Sequence, residues 1–249
     1  MSLTPSLVAR LVTAEFAAAL LVFPALLFTP APYGRYRRPG VGPMMPARLG
    51  WLVMEFPAVA VPIWAFLAAG GAARGLAPWL LLALWELHYV QRTFVFPFLM
   101  RGRTATKPLL TVALAVAFNC LNGVANGSSL AWRDDAMSAL NWVGVALFLA
   151  GWAVNLHADH VLRRLRRPGE DGYGIPHGGA FRWVSAANYF GEVLEWTGFA
   201  LAAGTPAAWA FAAFTAANLV PRALTHHKWY RATFPDYPAA RRAVLPFVL

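Results

Sequence analysis

Charge is scarce in this chain. Aspartate, glutamate, lysine and arginine make up 13% of its 249 residues, where a soluble domain carries about a quarter. That deficit excludes an ordinary water-soluble globule and fits a chain solvated by lipid, where an outward side chain has no reason to be polar. Cysteine is nearly absent as well: Cys120 stands alone, so no intrachain disulfide and no cysteine-rich zinc site can form. No G-x-G-x-x-G opens a βαβ unit and no G-x-x-x-x-G-K-[ST] loop occurs, which excludes the soluble nucleotide-binding fingerprints. No H-E-x-x-H accompanies the pair His226-His227, and adjacent side chains on a helix point about 100° apart, so no metal is expected. The first apolar run starts near Leu7 and continues without a cleavage pattern, so it reads as a retained helix rather than a cleaved signal. Internal repeats and low-complexity tails are missing too, and residues 1–249 read as one domain.

What is present is apolar. Hydrophobic residues make up 59% of the chain, with 11 Trp and 7 Tyr suited to the aromatic belts at membrane interfaces. A helix needs roughly 20 apolar residues to cross the hydrocarbon core, and such runs occur at about 6–28, 50–69, 77–99, 108–126, 137–160, 185–203 and 206–224. The expected fold is therefore all-α and polytopic, with seven transmembrane helices. The net charge of +10 is a matter of sidedness rather than nucleic-acid binding. Of the 21 Lys and Arg, 17 fall in the alternate hydrophilic segments around Arg35–Arg48, Arg101–Lys107, Arg163–Arg182 and Arg222–Arg242. By the positive-inside rule the N-terminus is outside and the C-terminus cytoplasmic.

Ionisable residues also occur where lipid forbids them. Glu15, Glu55, Glu86, His88, Arg92, Asp159, Glu192 and Glu195 lie within or at the ends of the apolar runs. A charge near the bilayer centre costs at least about 2.5–3.5 kcal/mol. Any one of these fits an interface or a neutral pair; the whole set implies a polar interior cavity. Tyr89, Arg92 and Thr93 share a helix face at 100° per residue. Glu55 precedes Pro57 and Pro62, which can kink a membrane helix and open space beside it. A Glu and a Tyr together can polarise a ligand carbonyl.

A second polar region lies on the cytoplasmic side. Asn155 and Asp159 stand at i, i+4, and Arg163, Arg166 and Arg167 continue near that face. The stretch Pro168–Gly179 is too rich in Gly and Pro for a helix. Asn188, Glu192 and Glu195 then recur at helical spacing. Guanidinium forks suit phosphate oxygens, while carboxylates and amides suit ribose and carboxamide groups. For the arginines alone, a snorkelling positive-inside cluster is the better reading.

These motifs, in one order, resemble the steroid 5α-reductase family of integral membrane enzymes. The resemblance is carried by His88-Tyr89-x-x-Arg92-Thr93-Phe94, Arg101-Gly102-Arg103, Asn155-x-His157-x-Asp159-x-x-Leu162-Arg163-x-Leu165-Arg166 and Pro168-Gly169-Glu170. It continues through Tyr173-x-Ile175-Pro176-x-Gly178-Gly179-x-Phe181, Asn188-x-x-Gly191-Glu192-x-x-Glu195-Trp196, His226-His227-x-x-Tyr230 and Asp236-Tyr237-Pro238. It implies seven membrane helices and an NADPH-dependent reduction of the C4–C5 double bond of 3-oxo-Δ4-steroids. By position it implies that Glu55 and Tyr89 hold the 3-keto oxygen. It likewise implies that Arg103, Asn155, Asp159, Arg163, Arg166, Tyr173, Asn188, Glu192, Arg222, His226 and Tyr230 line the cofactor pocket. Met100 departs from the family, whose members often carry Asn there.

The expected partners are a steroid or other lipophilic enone and the lipid bilayer, with no nucleic acid. A bacterial inner membrane is the expected setting, although the same orientation suits the endoplasmic reticulum. Two other enzyme readings share the polar cavity. One is a reductase of another conjugated enone or enoyl thioester; the other is an isoprenylcysteine-type methyltransferase using S-adenosylmethionine.

Overall fold

The computed structural model describes residues 3–29, 36, 42–100, 106–134, 136–165 and 173–249. It is built of long helices. Helix α1 spans Pro5–Phe28, β1 Met44–Pro46, α2 Ala47–Ala68 and α3 Leu76–Val90. A π-helical turn, Gln91–Val95, joins α3 to the short α4, Phe96–Leu99. Then come β2, Thr106–Pro108, α5, Leu109–Ala131, α6, Ala139–Arg164, α7, Ala187–Ala203, and α8, Pro206–Thr233. With α3 and α4 counted as one interrupted rod, there are seven long helical segments among the described residues. Among the described residues four of them (α1, α2, α5 and α6) are long and apolar enough to cross a membrane, as expected of a multi-pass membrane protein.

Three departures from the sequence reading have physical causes. The all-α expectation omits a short antiparallel pair in which Met44 faces Pro108 and Pro46 faces Thr106; it ties the entries of α2 and α5 together. The run read as one helix over 77–99 is interrupted, because Pro97 offers no N–H to continue the ladder. In the π turn the Phe96 N–H bonds to the Gln91 carbonyl, so the Arg92 carbonyl lacks a backbone donor and accepts from Trp51 Nε1–H at 2.9 Å. The last helix runs past 224 to Thr233, carrying His226, His227 and Tyr230 on a continuous rod.

Where the apolar solvent supplies no drive for helices to associate, close packing does. Helices α6 and α7 meet along four glycines, each seven residues from its neighbour on the same helix. A Cβ on Gly144 would overlap the Ala202 nitrogen, and one on Gly151 the Glu195 nitrogen; Gly191 and Gly198 face Asn155 and Phe148 in the same way. This backbone contact brings Asn155 and Asp159 beside Asn188 and Glu192. Helix α2 is held by a side chain: Pro62 has no N–H for the Ala58 carbonyl, and Trp85 Nε1–H donates to that oxygen at 2.8 Å. Trp85, Trp196, Phe199 and Phe211 then pack around Tyr89 in the centre of the bundle.

Candidate active site

Tyr89 lies at the middle of this core, 5% exposed. Its ring centroid is 5.0 Å from that of Trp85, 5.6 Å from Trp196 and 6.5 Å from Phe211. Aromatic neighbours of this kind contribute about 0.5–1.5 kcal/mol per pair beyond area, and several together fix the direction of the phenol. Among the charged groups around Tyr89, Glu55 acts on it most strongly, followed by Glu192, Glu15 and Glu195. Glu55 projects from α2 into the field of Arg92, His88, Glu192 and Lys107.

One turn beyond Tyr89, Arg92 is the node of the site. Its Nη1 donates to Asp159 Oδ2 at 3.1 Å, with both side chains mostly buried (13% and 8% exposed). It also lies in the field of Glu192, Glu55 and Glu195. Its guanidinium lies beside the rings of Trp51 (4.9 Å) and Phe96 (4.3 Å), which also meet each other at 4.9 Å. His88 Nδ1 and Glu195 Oε1 share a hydrogen bond of 2.7 Å behind it. Asn155 Nδ2 donates to the Asn188 carbonyl at 3.0 Å, and the Asn188 side chain hydrogen-bonds Asp159. Arg163 bears on Asp159 as well, and its Nη1 is buried without a hydrogen-bond partner among the described residues.

A second group lies on α8. The Arg222 guanidinium is 5.2 Å from the Tyr189 ring. His226 stands between two phenols, its Nδ1 2.9 Å from Tyr36 Oη and its Nε2 3.3 Å from Tyr189 Oη. In a neutral imidazole one nitrogen donates and the other accepts, so the two phenols play opposite roles. Lys107 connects the groups: it lies in the fields of Glu55, Arg222 and Arg92, and burial pushes its ammonium down to about 8. Its Nζ is 4.1 Å from the Trp51 ring.

Thus Glu55, Tyr89, Asn155, Asp159, Asn188 and Glu192 converge through Arg92, with Arg163 alongside, while Arg222 and His226 form the neighbouring group. Tyr173 and Tyr230 belong to a third, aromatic cluster. Tyr230 is 3% exposed and stacks on Tyr237 at 5.2 Å, while Tyr173 meets Trp229 edge-on at 5.5 Å. Arg103 and Arg166 lie outside the described residues. Arg92, Lys107, Trp51, Tyr36 and Tyr189 were not singled out as site residues from sequence. For Arg92 the signal was available, three residues from Tyr89 on one face. Lys107 and Tyr36 sit in segments whose basic character reads simply as sidedness.

A helical membrane bundle enclosing a buried cluster of tyrosine, carboxyl and arginine side chains defines a multi-pass membrane enzyme. The chain belongs to the 3-oxo-5-alpha-steroid 4-dehydrogenase family, the oxidoreductases that reduce 3-oxo-Δ4-steroids to their 5α forms; the family's model matches residues 105–249. It is 45% identical over 243 residues to 3-oxo-5-alpha-steroid 4-dehydrogenase 1 of Bos taurus, covering 94% of each chain. To the Homo sapiens protein of the same description it is 40% identical over 248 residues, 97% of this chain and 95% of that one. It is 41% identical over 212 residues to 3-oxo-5-alpha-steroid 4-dehydrogenase 2 of Homo sapiens, 82% of each.

Proposed function

We propose that this protein reduces the C4–C5 double bond of 3-oxo-Δ4-steroids with NADPH as the reductant, Tyr89 and Glu55 holding the 3-keto oxygen. The observation that carries this reading is that Glu55, half-buried on α2, is the carboxyl acting most strongly on the buried Tyr89 of α3, whose ring is immobilised by Trp85, Trp196 and Phe211. Fixed donors aimed at an oxygen that gains charge during reaction stabilise the transition state without reorganising.

The donor set fits a phosphorylated dinucleotide. Arg163 has a buried guanidinium nitrogen without a partner, and Arg222 and Lys107 place further positive charge nearby. Arg103 and Arg166 are assigned to the same pocket by resemblance. The guanidinium forks would take phosphate oxygens, and Asn155, Asn188, Asp159 and Glu192 would take ribose and carboxamide groups. Tyr173, His226 and Tyr230 would border the same pocket. When bound, the reduced nicotinamide supplies the hydride. Tyr89 donates a hydrogen bond to the ketone and so draws electron density from C5. Glu55 orients Tyr89 and shares the hydrogen bond. The Arg92–Asp159 pair holds the carboxyl cluster in place, and the surrounding aromatic rings exclude water.

Seven crossings, with the N-terminus outside and this pocket open to the cytoplasm, follow from the distribution of Lys and Arg; a bacterial inner membrane suits this arrangement. The test is NADPH consumption by the detergent-purified protein given testosterone or progesterone, with products identified by mass spectrometry. The 5α-dihydro steroid is the expected product. Folded protein that leaves the C4–C5 bond of both steroids intact would overturn the reading.

A further inference from the structure

The inward face of α1 carries one charged group. Its buried residues are Val8, Val12, Glu15 and Ala19, a single stripe at helical spacing. Val8 and Val12 pack with Ala125 of α5 and with Ala207 and Ala210 of α8. Trp132, at the end of α5, packs with the same residues at the start of α1, so α1 and α5 run antiparallel. In an antiparallel pair, one turn on from Val12 (Glu15) and one turn back from Ala125 (Asn122) fall at the same level. Glu15 is fully buried, and both its carboxyl oxygens lack a hydrogen-bond partner.

The facing stretch of α5 has complementary deficits. Asn126 Nδ2 donates to Asn122 Oδ1 at 2.6 Å, which fixes both amides. It leaves the donor Asn122 Nδ2 and the acceptor Asn126 Oδ1 buried and unpartnered, and Ser128 Oγ beyond them is in the same state. Buried polar groups are almost always paired, and ordered water supplies the partner where protein does not. Glu15 also lies within electrostatic reach of the Tyr89 hydroxyl, acting on it more than Glu195 does. Asn122 stands one helical turn from Phe118, whose ring meets Phe211, and Phe211 lies against Tyr89, so the polar stretch of α5 adjoins the Tyr89 end of the core.

We propose that Glu15, with Asn122 and Asn126, forms a hydrated file behind Tyr89 that delivers the proton consumed in each reduction. This rests on the ketone lying against Tyr89. Each turnover adds one hydride and one proton. As hydride bonds to C5, the C4–C5 π pair becomes the C3–C4 double bond and charge collects on the ketone oxygen. Tyr89 gives its proton to that oxygen, and Glu15 replaces it through the file. When the enol returns to the ketone, the oxygen's proton passes through water to C4, and Tyr89 keeps the proton it took from Glu15. The net proton has come from Glu15, which water at the α5 end recharges.

The experiment compares Glu15→Gln, Glu15→Asp and Asn122→Leu in the full-length protein with NADPH and testosterone. It reads kcat, KM, the NADPH dissociation constant and the solvent deuterium isotope effect. Glu15→Gln is expected to lower kcat by about 100-fold, the low end of what a positioned proton donor contributes. NADPH affinity should be retained and the solvent isotope effect enlarged. Asn122→Leu should do the same to a smaller degree, and Glu15→Asp should recover part of the rate. Should Glu15→Gln not fold, Asn122→Leu carries the same expectation. An unchanged kcat and solvent isotope effect in variants that bind NADPH would overturn the file. So would a raised steroid KM with kcat intact, which would make Glu15 a substrate contact. Full turnover by Tyr89→Phe would instead sink the underlying ketone assignment, whatever Glu15 does.

Discussion

The two polar regions of this bundle are built on opposite terms. Around Arg92 most of the buried charges have named partners: Asp159 for its guanidinium, Asn188 for Asp159, His88 for one oxygen of Glu195; Arg163 Nη1 and Glu195 Oε2 are the exceptions. Along α1 and α5 the buried groups are left over, with Glu15, Asn122, Asn126 and Ser128 each keeping an unpartnered atom. Removing one member of a satisfied ion pair strands the other, whereas a leftover group implies something that comes and goes. On this account the first region is a frame that fixes geometry, and the second is the proposed route of exchange.

Four measurements break or sharpen that contrast, the largest effect first. Asp159→Ala strands the Arg92 charge and should cost about 3–5 kcal/mol of stability, read as a lowered Tm in detergent together with lost NADPH binding. An unchanged Tm would mean that the frame does not depend on this pair. Tyr89→Phe keeps the packing and removes one donor to the ketone. It should lower kcat by about 100- to 1,000-fold with the NADPH dissociation constant unchanged; equal loss of both would contradict the division of labour.

Trp85→Phe leaves the Ala58 carbonyl opposite Pro62 without its donor, a cost of about 1–3 kcal/mol visible in thermal unfolding. If stability held, another group would have to be satisfying that kink. Lys107→Met has the smallest effect, about tenfold in NADPH affinity, or ~1.4 kcal/mol for one charged hydrogen bond. Its pH signature is specific. Burial lowers the Lys107 pKa to about 8, so the ammonium is charged below that pH and neutral above it. Affinity for an anionic cofactor should fall as pH rises through 8 in the parent protein and lose that inflection in Lys107→Met.

Much of the frame was legible beforehand, because helical spacing alone puts Asn155 with Asp159 and Asn188 with Glu192. The seam that presses these pairs together was not, since Gly144, Gly151, Gly191 and Gly198 show their purpose only when two helices are set side by side. The π turn leaves no compositional mark other than Pro97, which is why residues 77–99 read as one rod. Tyr230 keeps an assignment to the cofactor pocket only by resemblance; its stacking on Tyr237, seven residues on, forms across the turn that ends α8, where helical periodicity no longer applies. Glu15 was visible as a charge out of place, but its meaning depends on the Asn122 amide, a neighbour more than 100 residues away in sequence.

The most direct test of the central claim is isotopic. With NADPH deuterated at the transferable nicotinamide position, the product from testosterone should carry deuterium at C5 in the 5α configuration. Tyr89→Phe should slow its appearance about 100-fold or more while NADPH remains bound as tightly. Product without deuterium at C5, or a Tyr89→Phe variant that loses cofactor binding along with turnover, would contradict the account.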